Sequence, residues 1–141
     1  MFSNIVVGTD GSDTANTAVV LAVELAKRHD ATLHLVNAYR VPGTQAGALG
    51  VTDPGMHPAQ FEEASRTTLE QAASRIRDIK VVTHAIYGAP ADAMISLASE
   101  IGADLIVVGS KGMRGARRMI GSVPNSVAHK APCHVLVAKT A

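Results

Sequence analysis

The chain has 141 residues, 47% of them hydrophobic but only 3% aromatic, and a formal net charge of +1. That length suits a single domain, 1–141, with a core of its own, and the near-zero charge argues against a nucleic-acid partner, which needs a wide basic surface. One cysteine, Cys133, excludes an intrachain disulfide; with no basic leader and no bilayer-length apolar run, the expectation is a soluble cytoplasmic protein without a membrane partner.

In chain order, Asn4 to Thr9 reads as a short apolar strand, followed by the turn Asp10-Gly11-Ser12-Asp13. Ser12 or Asp13 can cap a helix from Ala15 to His29, whose face of Ala15, Ala18, Val19, Ala22, Leu25 and Ala26 is small enough to lie close to a sheet. Thr32 to Ala38 is a second strand. Tyr39 to Pro58 is rich in glycine and proline and has no period, so it reads either as a functional loop or as disorder. Ala59 to Arg77 is a helix, Ile79 to Tyr87 a strand and Ala91 to Ile101 a helix that Gly102 ends. Ala103 to Val108 is a fourth strand, and Ser122 can cap a last helix running to about Lys130. Cys133 to Lys139 is a fifth strand. Strict alternation of short apolar strands with helices predicts an open five-stranded parallel sheet, α/β and Rossmann-like, with helices on both faces.

Between the fourth strand and the last helix the chain supplies Gly109, Gly112, Gly115 and Gly121 together with Lys111, Arg114, Arg117 and Arg118. No acid occurs after Asp104. Glycines let backbone N–H groups approach a phosphate, and a helix N-terminus adds unpaired N–H groups and partial positive charge. A second glycine turn, Gly8-Thr9-Asp10-Gly11, follows the first strand. If the first and fourth strands are neighbours, both turns line one crevice at the carboxyl edge of the sheet, where open α/β sheets bind ligands. Asp10 can serve there as a ribose or metal contact or simply as a turn residue, and Arg114, Arg117 and Arg118 as phosphate contacts or a solvated face.

Other chemistries fit less well. No stretch reads G-x-x-x-x-G-K-[ST] or G-x-G-x-x-G, and the second strand ends Val36-Asn37-Ala38-Tyr39 without an acid. A flavin would want aromatic walls, and the chain has no Trp. His129 and His134 flank Cys133, but Pro132 separates helix from strand and argues for divergent side chains rather than a metal site. His34 and His84 read as ordinary strand residues, Cys133 as a buried inert thiol, and no catalytic residue can be named.

Five segments in this order, Ile5-Val6-Val7-Gly8-Thr9-Asp10-Gly11-Ser12, Gly88-Ala89-Pro90, Ala103 to Gly112, Gly121-Ser122-Val123 and Ala131 to Val137, resemble the universal stress protein family over essentially the whole chain. The resemblance implies a fold like that of the adenine nucleotide alpha hydrolases, with strand order 3-2-1-4-5. One branch of the family binds ATP through G-x2-G-x9-G-[ST]. Gly109, Gly112, Gly121 and Ser122 match that pattern except that eight residues, not nine, separate Gly112 from Gly121. By resemblance, Thr9 and Ala38 border the adenine, and Gly8, Val108, Gly109 and Ser110 lie against the nucleotide. Asp10 faces the ribose or a phosphate-bound Mg, and Gly112, Arg114, Gly121, Ser122 and Val123 meet the phosphates. The resemblance also implies a homodimer through the last strand, 133–139. The expectation is an ATP-binding regulator or reservoir in stress response. A slow Mg-dependent ATPase, a cyclic-AMP-binding protein and a nucleotide-free interaction protein are the alternatives.

Overall fold

The strands have the order β3-β2-β1-β4-β5 in one five-stranded sheet, and every pairing is parallel. In the computed structural model, which describes residues 1–41, 57–110 and 122–140, the elements alternate throughout. They are β1 (Asn4–Gly8), α1 (Asp13–His29), β2 (Thr32–Tyr39), α2 (Pro58–Ala73), β3 (Val81–Tyr87), α3 (Pro90–Ile101), β4 (Leu105–Gly109), α4 (Ser122–Lys130) and β5 (His134–Ala138). The expected order of strands is therefore the observed one, and β1 and β4 are neighbours.

The central strand shows why. Ile5, Val6 and Val7 are all fully buried, because alternate residues of a strand face opposite sides and both sides are covered. Ile5 and Val7 pack with Ala18, Val19, Ala22 and Ala26 of α1 and with Leu69 of α2. Val6 packs on the other side with Met94, Leu97 and Ala98 of α3 and Val127 of α4. Burying one such aliphatic side chain contributes about 1.5–3 kcal/mol, so an unbroken apolar run is stable only inside a three-layer sandwich.

Helix ends follow local chemistry. Ser12 accepts from the Ala15 N–H at 3.1 Å and caps α1, and Asp30 ends that helix in the left-handed conformation with φ 54°. His57 and Gln60 form a reciprocal cap on α2. That helix stops at Ala73, short of the expected Arg77. Ser74 turns its hydroxyl onto the Gln71 carbonyl, and the next N–H groups, of Arg75 and Ile76, bond three residues back rather than four. β3 accordingly begins at Val81 rather than Ile79. Asp104 precedes β4, and its carboxylate accepts from the N–H groups of Ser3 and Asn4, tying the two central strands together at their amino ends.

His34 and His84 do more than occupy strands. His34 Nδ1 lies 3.0 Å from His84 Nε2, and His34 Nε2 lies 3.1 Å from Asn4 Oδ1. Burial holds both imidazoles below their ordinary pKa; His34 is lowered further by His84 and Lys80, while Glu100 partly opposes the shift at His84. Cys133 is half-buried, and burial followed by the Asp104 carboxylate raises its thiol pKa. Among the described residues no three His, Cys, Asp or Glu side chains gather into a metal site, and no helix is long and apolar enough to cross a membrane. Most of the long glycine- and proline-rich segment expected as a loop, 42–56, lies outside the described residues.

Candidate functional site

The β1–β4 ladder ends at Val7 and Val107, and the two chains then part. α1, which follows β1, covers one face of the sheet. α4, which follows the segment after β4, packs on the other. The strands thus diverge where the connections change sides, and a crevice opens there. It holds a cavity of about 420 Å³, within the usual size of a small-molecule site.

Gly8, Thr9 and Asp10 form one wall, Val36, Asn37 and Ala38 a second, and Val108 and Gly109 a third. The first turns of three helices close it: Thr14 and Ala15 from α1, Pro90 from α3, and Ser122, Val123 and Pro124 from α4. Ala18 and Met94 lie deeper along α1 and α3 and also line it. The inner lining is mostly aliphatic, while Asp10, Thr14 and Ser122 supply polar groups.

The turn after β1 is braced from several directions. The Thr9 N–H donates to the Val36 carbonyl at 2.8 Å, and Asn37 Nδ2 donates to the Thr9 carbonyl at 2.7 Å. Ser65 of α2 donates to Asn37 Oδ1. Gly11 has φ +83°, a conformation that favours glycine, and its N–H donates to Thr9 Oγ1 at 3.1 Å. The Ser12 N–H donates to Asp10 Oδ1 at 2.9 Å. Asp10 is exposed at the rim, while Thr9 is buried.

The three helix N-termini are not equivalent. α1 and α3 carry Asp13 and Asp92 in their first turns, which offset the positive ends of those helices. α4 carries no acid in its first turn, so its end is left to attract an anion. Among the described residues the cavity has one carboxylate and no lysine, arginine, histidine or cysteine. It can hold a ligand with an apolar part and an anionic end.

Of the residues singled out in the sequence, Gly8, Thr9, Asp10, Ala38, Val108, Gly109, Ser122 and Val123 come together around this cavity. Ser110 does not line it. It is buried, and its hydroxyl accepts from the Thr140 N–H at 2.9 Å, on the β5 side. Gly112, Arg114 and Gly121 lie outside the described residues. Sequence reasoning missed Asn37 and Met94. Asn37 registers in the sequence only as a missing acid at the end of a strand, and Met94 only as one apolar residue on a helix face.

Comparison with known proteins gives the family. The model of the universal stress protein family matches residues 1–139. The chain belongs to the universal stress protein family. A putative universal stress protein of Staphylococcus haemolyticus is 38% identical over 149 aligned residues, covering 99% of this chain and 86% of the relative. A universal stress protein of Mycobacterium tuberculosis is 35% identical, with 99% and 97% covered. Among solved structures, a universal stress protein in complex with cAMP is 30% identical, with 99% of each chain covered and a TM-score of 0.76.

Proposed function

We propose that this universal stress protein binds ATP in the crevice between β1 and β4 and acts as a nucleotide-dependent regulator or reservoir in the cytoplasm during stress. The observation that carries this reading is the acid-free N-terminus of α4, which opens with Ser122 and Val123 onto a mostly aliphatic cavity. A nucleoside phosphate is amphipathic in the same sense. Val36, Ala38 and Val108 suit the faces of a base, Asp10 a ribose hydroxyl, and the first turn of α4 the phosphates. By family resemblance, Gly112, Arg114 and Gly121 complete the phosphate contacts.

A Mg ion fits this donor set only as a companion of the nucleotide. One carboxylate, Asp10, suits an ion held otherwise by phosphate oxygens and water. Bound there, Mg would neutralise phosphate charge, while Asp10 would orient the hydrated ion. Among the described residues the lining favours binding over catalysis, because no positioned general base accompanies Asp10 there. A second copy of the chain pairs along β5, whose Leu136 and Val137 are exposed.

Cyclic AMP is the second reading, favoured by the 30% identical relative solved in complex with cAMP. Calorimetric titration of the purified chain with ATP, cyclic AMP and GTP, with and without Mg, separates the possibilities. ATP is expected to bind and to compete with any nucleotide carried through purification. Tighter binding of cyclic AMP would transfer the site to the second reading, and no adenine nucleotide binding at millimolar concentration would leave the crevice without this role.

A further inference from the structure

Taking the crevice to be the nucleotide site, we infer that the chain segment after β5 is a positioning element for it, acting through Ser110. The β4–β5 ladder ends at Gly109 and Ala138, yet the two chains stay tied beyond it. The Ser110 N–H donates to the Ala138 carbonyl at 2.8 Å. Ser110 Oγ accepts from the Thr140 N–H at 2.9 Å, and the two hydroxyls share a further hydrogen bond at 3.3 Å. Thr140 also fills the space behind Gly109, where an added Cβ would stand 2.9 Å from Thr140 Cγ2. Gly109 itself lines the cavity. One wall of the crevice is therefore backed by the segment that follows β5.

The tie lies past the paired strands, so the parallel ladder does not require it. What it holds is the backbone of 109–110, the point from which the chain leaves β4 toward the basic glycine stretch. Ser110 is only 2% exposed, and hydrogen bonds shielded from water hold their geometry more firmly than exposed ones. A ligand that meets a wall already fixed does not have to order it, and preorganisation of this kind appears as affinity. The Ser110 hydroxyl thus acts through Gly109 and does not itself touch the ligand.

The test uses the full chain with Ser110→Ala, which removes the acceptor, and with Thr140→Pro, which removes the N–H at a position past the paired strands. Thr140→Ser keeps both polar groups and loses only the methyl behind Gly109, so it separates the hydrogen bonds from that packing contact. Ser110→Ala and Thr140→Pro are expected to weaken ATP binding on the order of tenfold, equivalent to ordering about one residue of backbone on binding. The loss should appear as faster dissociation, with the urea midpoint of the ligand-free chain close to that of the parent. Thr140→Ser should bind much closer to the parent than either disrupting variant, since it loses only the methyl behind Gly109. In hydrogen exchange, the Thr140 amide of the parent should be protected before ligand is added, and in Ser110→Ala it should not. Parent-like affinity in both disrupting variants overturns the positioning role alone. So does a loss of affinity that tracks a lowered urea midpoint, since that is a merely structural effect. A parent chain that binds no adenine nucleotide removes the reading of the crevice, and this role falls with it.

Discussion

Gly8 shows how one residue joins packing to the crevice. A Cβ placed there would stand 2.9 Å from Met94 Sδ, so the absent side chain is what lets the Met94 side chain of α3 lie against β1. Both residues line the cavity, and a Gly8→Val change must push Met94 away from β1 or force the strand and helix apart. Overpacking of this kind costs about 1–3 kcal/mol. The expected outcome is a lower urea midpoint together with at least a tenfold loss of ATP affinity by calorimetry. Unchanged affinity in a folded Gly8→Val chain would mean that the ligand does not reach this part of the crevice. Asn37 has a comparable place at the residue scale. Its amide joins α2, through Ser65, to the turn after β1, through the Thr9 carbonyl.

Across two elements, the His34–His84 pair links β2 to β3 beneath α3. With Asn4 Oδ1 accepting, His34 Nε2 must carry a proton, which leaves Nδ1 to accept from His84 Nε2–H. A proton added to His34 sets two donors head to head. Burial disfavours that charge at both rings, and Lys80 disfavours it further at His34, although Glu100 opposes the effect at His84. The folded chain therefore binds fewer protons than the unfolded one below the free imidazole pKa of about 6.5. Stability should be complete above that value and decline as pH falls through it toward the lowered folded values. Urea unfolding from pH 8 to pH 5 checks this, with His84→Gln as the control. The control should flatten the dependence, and an equally steep decline in it would assign the effect to other groups.

For the whole molecule, the sheet has β3 at one edge and β5 at the other. β5 leaves Leu136 and Val137 exposed, and an apolar edge strand is prone to pair unless it is covered. If a second copy covers it, Leu136→Lys should shift sedimentation from dimer to monomer at micromolar concentration, while the circular dichroism spectrum is retained. A parent chain that sediments as a monomer would rule that dimer out. The alternation of strands and helices was legible in the linear pattern because apolar runs and helical periods are local properties; the stop at Gly102 was legible for the same reason, and the cap at Ser12 as one of two candidates beside Asp13. The end of α2 was not, since Arg75 and Ile76 keep the helical period while their N–H groups have already gone over to tighter turns. Glycine spacing marked two of the three walls of the crevice, but periodicity alone left strand adjacency open, and family resemblance had to supply it. Asn37, Met94 and the Ser110–Thr140 tie stayed hidden because each joins residues remote in the chain, 28, 86 and 30 positions apart for Asn37–Thr9, Met94–Gly8 and Thr140–Ser110. Local pattern dictates which segments become strands and helices; which side chains then meet across the sheet depends on register and layer packing, and those exist only once the chain has folded.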